Sequence, residues 1–338
     1  MGAVPTKVAV VGAGSWGTAV AAIAATRAPA VVWARRAELA REIGEHHAND
    51  SYLPGVRLPA ALEATDSLEA ALGGAGVVVM AVPSHGFRDI FTRARPWLPV
   101  GAPVLSLTKG IEQGTLKRMT QIVSELSPTT PAGVLTGPNL AQEVTAGYPA
   151  ASVVAFADAV VARDVQQLFS TGAFRVYTNP DVAGCEIAGA LKNVMAIAAG
   201  IADGLGLGDN TKAALITRGL AELTRLGVAL GGEPLTFSGL AGMGDLVATC
   251  TSRQSRNRHV GEQLGRGKSM DEIVEEMSMV AEGIKTSLVV VELASRVGVE
   301  MPIAEQVVAV LYDGKKPADV ISSLMQRQAK PELHGISG

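Results

Sequence analysis

From Lys7 onward, short valine-rich apolar runs alternate with stretches whose apolar positions recur every three to four residues. The first pattern is that of covered strands and the second that of amphipathic helices, so their alternation predicts repeated strand–helix units and a mostly parallel, doubly wound sheet. The expected strands are Val8–Val11, Val31–Ala34, Val77–Val82, Val104–Leu107, Val134–Thr136 and Ser152–Ala155, with helices such as Ser67–Leu72 and Leu116–Glu125 between them. Val77–Val82 is apolar at every position, as expected of a strand covered by helices on both faces. After Phe174-Arg175-Val176-Tyr177 the texture changes, and Ala-, Gly- and Leu-rich helical stretches run to about Gln328. A boundary near Asn179-Pro180 therefore separates an α/β domain (1–179) from an all-helical one (180–338). Expected helices there are Val182–Asp203, Lys212–Leu226, Arg256–Leu264, Met270–Met277, Thr286–Val297 and Ile303–Leu311, and the tail Lys330–Gly338 is expected to fray.

Composition adds limits. A chain of 338 residues that is 48% hydrophobic can bury a large core. A net charge of -3 without a long basic block argues against nucleic acid or an anionic membrane as a constant partner. Cys185 and Cys250 lie far apart, without metal-ligand spacing, which suits a reducing cytosol better than a disulfide framework. Met1–Thr6 formally matches a myristoylation pattern, but it runs straight into an apolar strand and is read as coincidence. With no signal-peptide pattern and only strand-sized apolar runs, a soluble cytoplasmic protein without membrane insertion is expected. The apolar helical half is compatible with a homodimer.

Candidate chemistry begins at Gly12-Ala13-Gly14-Ser15-Trp16-Gly17, a GxGxxG run between an apolar strand and a helical stretch. In that context Gly12 permits the tight turn, Gly14 lets a pyrophosphate approach the backbone, and Gly17 lets helix and strand pack closely. Free N–H groups at the helix start then bind phosphate oxygens, so the first domain reads as Rossmann-type and dinucleotide-binding. An acidic residue after the second strand would select NAD, but that strand runs into Trp33-Ala34-Arg35-Arg36. Arg35 and Arg36 suit a 2′-phosphate, which predicts that NADPH serves at least as well as NADH. Two solvated surface arginines are the competing explanation.

The stretch Val182–Gly200 is apolar or small around nearly its whole circumference, the mark of a buried helix, and Lys192 stands in its middle. Lysine is rarely buried unless it is paired, snorkelling or functional. Small neighbours leave room for a ligand, and desolvation would draw its pKa towards the range useful for proton transfer. Catalysis is the preferred reading, and an ion pair, for instance with Glu186, the alternative. Further on, the glycine-dense turn Gly239–Asp245 precedes Ser255-Arg256-Asn257. Ser255 suits an N-cap, and Arg256 and Asn257 would set donors in the first turn beside the positive end of the helix dipole. A plain capped surface helix explains the same residues.

With these residues in view, the chain resembles the bacterial-type NAD(P)-dependent glycerol-3-phosphate dehydrogenases over nearly its whole length. The shared stretches are Gly12–Ala19, Val82-Pro83-Ser84-His85, Thr108-Lys109-Gly110, Gly137–Glu143, Leu191-Lys192-Asn193-Val194, Gly242–Leu246 and Gln254–Arg258. The resemblance implies reversible reduction of dihydroxyacetone phosphate to sn-glycerol 3-phosphate for phospholipid synthesis, with NADPH or NADH as cofactor. By the same resemblance Lys192 is the proton donor and acceptor, with Asp245 and Asn193 orienting it and the substrate oxygens. Lys109 meets cofactor and substrate, Gly137 and Asn139 line the substrate site, and Ser255, Arg256 and Asn257 bind the substrate phosphate. Ser15, Trp16, Ala141, Val280, Glu282 and Arg256 touch the cofactor. Asn139 stands where many bacterial relatives carry Ser or Thr. No His pair or Cys cluster offers a metal site, so Lys192 and its neighbours are expected to polarise the carbonyl.

Two other readings use the same residues. A hydroxyacid or ketopantoate reductase would direct Arg256 at a carboxylate, and a non-catalytic NADPH sensor would need neither Lys192 nor Arg256. The arginine pair gives the first test: charge reversal of Arg35 and Arg36 should raise KM for NADPH far more than for NADH. Steady-state kinetics with each cofactor check this, and equal effects on both would remove the 2′-phosphate reading.

Overall fold

The computed structural model describes residues 7–277, 281–326, 328 and 331–332. Met1–Thr6, with its formal myristoylation match, and Val280 lie outside them, as does most of the tail expected to fray. The chain divides into two compact units, Met1–Lys109 with Lys117–Val182, and Gly110–Leu116 with Ala183–Gly338.

The first unit is built on eight strands, β1 Val8–Val11, β2 Ala30–Trp33, β3 Leu62–Thr65, β4 Val77–Met80, β5 Val104–Ser106, β6 Ala132–Thr136, β7 Ala150–Ala155 and β8 Phe174–Asn179. They form one sheet in the order β3-β2-β1-β4-β5-β6-β7-β8. Every neighbouring pair is parallel except β6 with β7. The chain winds outward from β1 to β3, then returns to place β4 on the other side of β1. That reversal is the switch point at which such sheets bind ligands, beyond the carboxyl ends of the strands.

Alternate residues of each strand feed opposite faces. Val8, Val10, Val32 and Val79 pack on one side with Val20, Ala21 and Ala24 of the helix Ser15–Ala25. Ala9, Val11, Val31, Val78 and Met80 pack on the other with Leu72, Phe87, Phe91 and Ile122. Coverage on both faces is why these strands read as unbroken apolar runs. The strands that patterning left out, β3 and β8, are the two ends of the sheet, where such runs are not required. The expected helix from Leu116 starts only at Met119. Leu116 is held at a φ of 57°, and it packs with Ile111, Ala190 and Val289 in the core of the second unit.

The second unit is helical and centred on Val182–Gly204, which is buried continuously from Gly184 to Ala202. That helix is long and apolar enough to cross a membrane, but its apolar window lies wholly inside the protein. Its small residues have another use. A Cβ at Gly200 would lie 2.0 Å from the Arg258 carbonyl, and one at Gly261 would lie 2.0 Å from that of Ile197. At Gly204 and Gly265 the approaches to Glu262 and Ile201 oxygens would be 2.3 and 2.5 Å. The space expected to admit a ligand is, at these positions, filled by the backbone of the helix Arg256–Gly265.

Glu222 lies fully inside this unit, on the helix Asp209–Ala229. Its carboxylate accepts from the N–H groups of Ile303 at 2.8 Å and Ala304 at 3.4 Å. These open the helix Pro302–Tyr312, whose own N-cap residue gives no side-chain cap. Burial pushes the Glu222 pKa from 4.5 up to about 7, against the pull of those two N–H groups. The folded state therefore holds a proton that the unfolded chain releases near 4.5, and stability must fall as pH rises from about 4.5 to about 7. Glu222→Gln keeps an acceptor for the shorter of the two bonds, from the Ile303 N–H, and removes the titration. Its melting temperature should decline less across that window than that of the parent chain; parallel declines in thermal scans would refute the assignment.

Candidate active site

The glycine loop follows β1 at the switch point. Gly12 has a φ of 120°, which disfavours any side chain, and a Cβ there would meet the Ala81 carbonyl at 2.5 Å. A Cβ on Gly17 would lie 2.1 Å from the Gly12 oxygen, whereas one on Gly14 would meet no atom within 4 Å. Two glycines are thus consumed by packing, and the middle one faces open space. Gly14 is the N-cap of the helix Ser15–Ala25 and supplies no side-chain cap, so the helix start is available to an anion. This cradle fits the pyrophosphate of a dinucleotide.

Around the loop, the Ser15 hydroxyl donates to the Tyr52 carbonyl at 2.8 Å. Trp16 meets Phe174 edge-on at 6.1 Å, and its buried Nε1 finds no partner among the described residues. Arg35 and Arg36 are exposed just beyond β2, and the Arg36 guanidinium lies 5.9 Å from the Tyr52 ring centre.

Lys109 and Gly137 follow the carboxyl ends of the adjacent parallel strands β5 and β6. The Lys109 ammonium donates to the Gly137 carbonyl at 3.0 Å, which brings these two residues together. Gly137 has a φ of 142°, a conformation that favours glycine. Asn139 is turned towards β7, where its Oδ1 accepts from the Ser152 hydroxyl at 3.0 Å and its Nδ2 reaches the Ala151 carbonyl at 3.4 Å. Its amide is therefore held by the sheet on both sides. Ala141 opens the short helix Ala141–Thr145.

In the second unit the Lys192 ammonium is buried, and it donates to Asp245 Oδ1 and to Thr249 Oγ1, each at 2.5 Å. Asp245 reaches it through an unusual turn. Leu240–Gly244 is a π-helix, in which Gly244 N–H bonds back to the Gly239 carbonyl at 3.1 Å. A Cβ on Gly242 would lie 2.1 Å from the Phe237 carbonyl, so this turn needs glycine there. The region expected as an irregular turn is thus wound helix, continuing into Asp245–Thr251 and setting Asp245 and Thr249 one turn apart on a single face. The Thr249 hydroxyl also donates to the Asp245 carbonyl at 2.6 Å, which fixes its rotamer. Beside the pair, burial pushes the Cys250 thiol up to about 12, which leaves it protonated.

A second polar chain starts at the next residue. Asn193 Oδ1 accepts from Asn257 Nδ2 at 3.0 Å, and Asn257 Oδ1 accepts from the Gly283 N–H at 2.9 Å. A Cβ on Gly283 would come within 2.7 Å of that Oδ1. These bonds tie together three helices, Val182–Gly204, Arg256–Gly265 and Glu282–Arg296. Ser255 caps the second of them by accepting from Arg258 N–H at 3.2 Å. Arg256 is the first residue of that helix and keeps an exposed rim, although surrounding protein lowers its pKa and nearby Glu282 opposes the shift. Val280 falls outside the described residues.

Sequence reading did not assign Thr249, Tyr52 or Asn49 to the site. Thr249 stands four residues after Asp245, a helical spacing that was hidden by reading the glycine run as a turn. Asn49 and Tyr52 sit in a loop without periodicity, and their contacts are tertiary.

A glycine-loop sheet at a switch point and a helical unit with a buried lysine–aspartate pair define the class of two-unit nicotinamide-dependent dehydrogenases. Residues 7–162 match the family described as the NAD-dependent glycerol-3-phosphate dehydrogenase N-terminus, and residues 181–322 its C-terminus. The chain belongs to the NAD-dependent glycerol-3-phosphate dehydrogenase family and is an NAD(P)-dependent oxidoreductase. It is 53% identical to glycerol-3-phosphate dehydrogenase [NAD(P)+] 2 of Sphingopyxis alaskensis, over 97% of this chain and 98% of that protein. The crystal structure of glycerol-3-phosphate dehydrogenase from Coxiella burnetii superposes with a TM-score of 0.92 at 37% identity, covering 96% of this chain and all of that one. A ketopantoate reductase from Ralstonia eutropha reaches 0.58 at 16% identity, with 94% of this chain and 100% of that chain covered, and so shares the fold alone.

Asp245→Ala would strand the Lys192 ammonium in the interior, which costs about 3–5 kcal/mol when one partner of a buried pair is removed. Urea unfolding should show that loss, and the double variant Lys192→Met/Asp245→Leu should recover most of it. A double variant as unstable as the single one would show that packing at Asp245, not charge, is what matters.

Proposed function

We propose that the chain catalyses the reversible NAD(P)H-dependent reduction of dihydroxyacetone phosphate to sn-glycerol 3-phosphate, with Lys192 as the proton donor and acceptor. The observation that carries this reading is a buried ammonium held by Asp245 and Thr249 in a chain that also has a dinucleotide loop. The nicotinamide, when bound, supplies the hydride that the carbonyl carbon C2 receives. As charge develops on the C2 oxygen, the Lys192 ammonium stabilises it and gives up a proton, which leaves a hydroxyl on the product and a neutral amine on the enzyme. In the reverse direction the amine takes that proton back. Asp245 holds the ammonium form and, with Thr249, fixes the nitrogen in one place.

Arg256, at the capped start of its helix, binds the substrate phosphate with Ser255 and Asn257, where the helix dipole adds to the charge. Asn193 orients the substrate oxygen, and its bond to Asn257 keeps both amides in register. Lys109 and Gly137 act at the strand ends of the first unit, with Asn139 held beside them and Ala141 against the cofactor. Gly12, Gly14, Ser15, Trp16 and Gly17 hold the dinucleotide, Arg35 and Arg36 favour NADPH, and Glu282 serves the nicotinamide, a role that the family likeness also gives to Val280, outside the described residues. Two buried free cysteines suit a reducing compartment, and we place the enzyme in the cytoplasm.

The test is NADPH oxidation with dihydroxyacetone phosphate, then with dihydroxyacetone, then with carboxylate 2-oxo acids. Only the phosphorylated ketone should turn over well. Lys192→Ala should still bind NADPH in a fluorescence titration while kcat falls by about 10²-fold or more, the scale of general acid–base catalysis. Retention of most activity by that variant would overturn the role of Lys192.

A further inference from the structure

The glycine loop leans on a segment without helix or strand pattern. His47 ends the helix Ala37–His46 in the left-handed region, and the Leu58 N–H closes back on the His47 carbonyl at 2.9 Å. Within this loop Asn49 and Leu53 have no exposed surface, and the N–H groups of Tyr52 and Leu53 turn back to the Asn49 carbonyl at 3.1 and 2.7 Å. The Asn49 side chain does not serve its own loop. Its Nδ2 donates to the Ala13 carbonyl at 3.0 Å and to Thr18 Oγ1 at 2.8 Å, while its buried Oδ1 has no partner among the described residues.

An amide with an idle acceptor is a costly way to fill a core, because the unpaired group has lost its water. Its donors must be what retains it. The Ala13 oxygen can only accept, so the nitrogen is the atom that must face it. The Ala13–Gly14 peptide is trans and planar, which makes its N–H point opposite to its carbonyl. Holding the Ala13 oxygen inward therefore turns the Gly14 N–H out of the core, at the one loop glycine whose Cβ position is open. A second tie, from Ser15 to the Tyr52 carbonyl, keeps the same segment against the helix start.

We propose that Asn49 is a positioning residue for the cofactor: it locks the Ala13–Gly14 peptide so that the Gly14 N–H is presented to the dinucleotide pyrophosphate. This rests on the glycine loop being the dinucleotide site. Without the lock the peptide can rotate, and part of the binding energy goes to restoring it.

The experiment measures the NADPH dissociation constant by calorimetry, together with melting temperature and steady-state kinetics, for the parent chain, Asn49→Ala, Asn49→Ser and Thr18→Val. Both Asn49 variants should weaken NADPH binding about tenfold or more, equivalent to one hydrogen bond at about 1.4 kcal/mol per tenfold. At saturating NADPH their kcat and their KM for dihydroxyacetone phosphate should stay within about twofold, a split expected when only cofactor binding is affected. Thr18→Val removes the other acceptor but leaves Ala13 held, so it should lower the melting temperature with little change in NADPH affinity. The proposal is overturned if the Asn49 variants lose stability but bind NADPH as the parent does, or if Thr18→Val weakens binding equally. Where Asn49→Ala does not fold, the smaller change Asn49→Ser decides. A parent chain that fails to bind NADPH would remove the dinucleotide reading itself, a result distinct from either of these.

Discussion

In each unit backbone meets backbone at a contact closer than any side chain allows, and two such contacts frame the candidate site. In the first unit Gly12 and Gly17 bring the strand β1, the strand β4 and the following helix into one tight corner. In the second, Gly200 and Gly204 on one helix interlock with Gly261 and Gly265 on another. The phosphate loop and the link from Asn257 to Asn193 depend on these contacts. The first sets an uncapped helix start beside an open glycine. The second brings the helix that begins at Arg256 against the one that carries Lys192 and Asn193, close enough for Asn257 to reach Asn193.

The buried charges follow from that frame. An ammonium and a carboxylate moved out of water lose more solvation than their attraction returns, so the Lys192–Asp245 pair is not there for stability. The unit keeps it within a shell of matched partners, the Thr249 hydroxyl on one side and the π turn with Gly242 on the other. A π turn and a glycine inside a helical segment both cost stability, and such features persist where they deliver a side chain that regular helix would misplace. Glu222 follows another logic in the same unit. It caps a helix from a neighbouring one, and the desolvation that raises its pKa is the cost of holding two backbone N–H groups far from water.

The sheet was legible wherever burial on both faces forces an apolar run, as in β1, β2 and β4, and it was not legible at β3 and β8, which lie at the sheet's ends. Helix starts were legible when a local cap marked them, as Ser255 does. They were misjudged when a tertiary partner intervened, as at Leu116, whose place in the core of the second unit keeps it out of the helix that its sequence suggests. The anomaly of Lys192 was visible because a charge in an apolar helix needs a reason. Its partner Asp245 entered only through the family resemblance, because it lies 53 residues away and is brought to Lys192 by a turn that local patterning reads as irregular.

What the sequence determined alone is whatever depends on neighbours in the chain: strand and helix period, the glycine spacing of the phosphate loop, the cap before Arg256, and the presence of a lysine that could not be idle. The tertiary structure decided which groups answer each other. It paired Lys192 with Asp245 and Thr249, linked Asn193 through Asn257 to Gly283, and set Asn49 against the Ala13 carbonyl. The reason is physical: a hydrogen bond in the interior is fixed by distance and direction between groups far apart in sequence, and only packing the helices and sheet to contact supplies either.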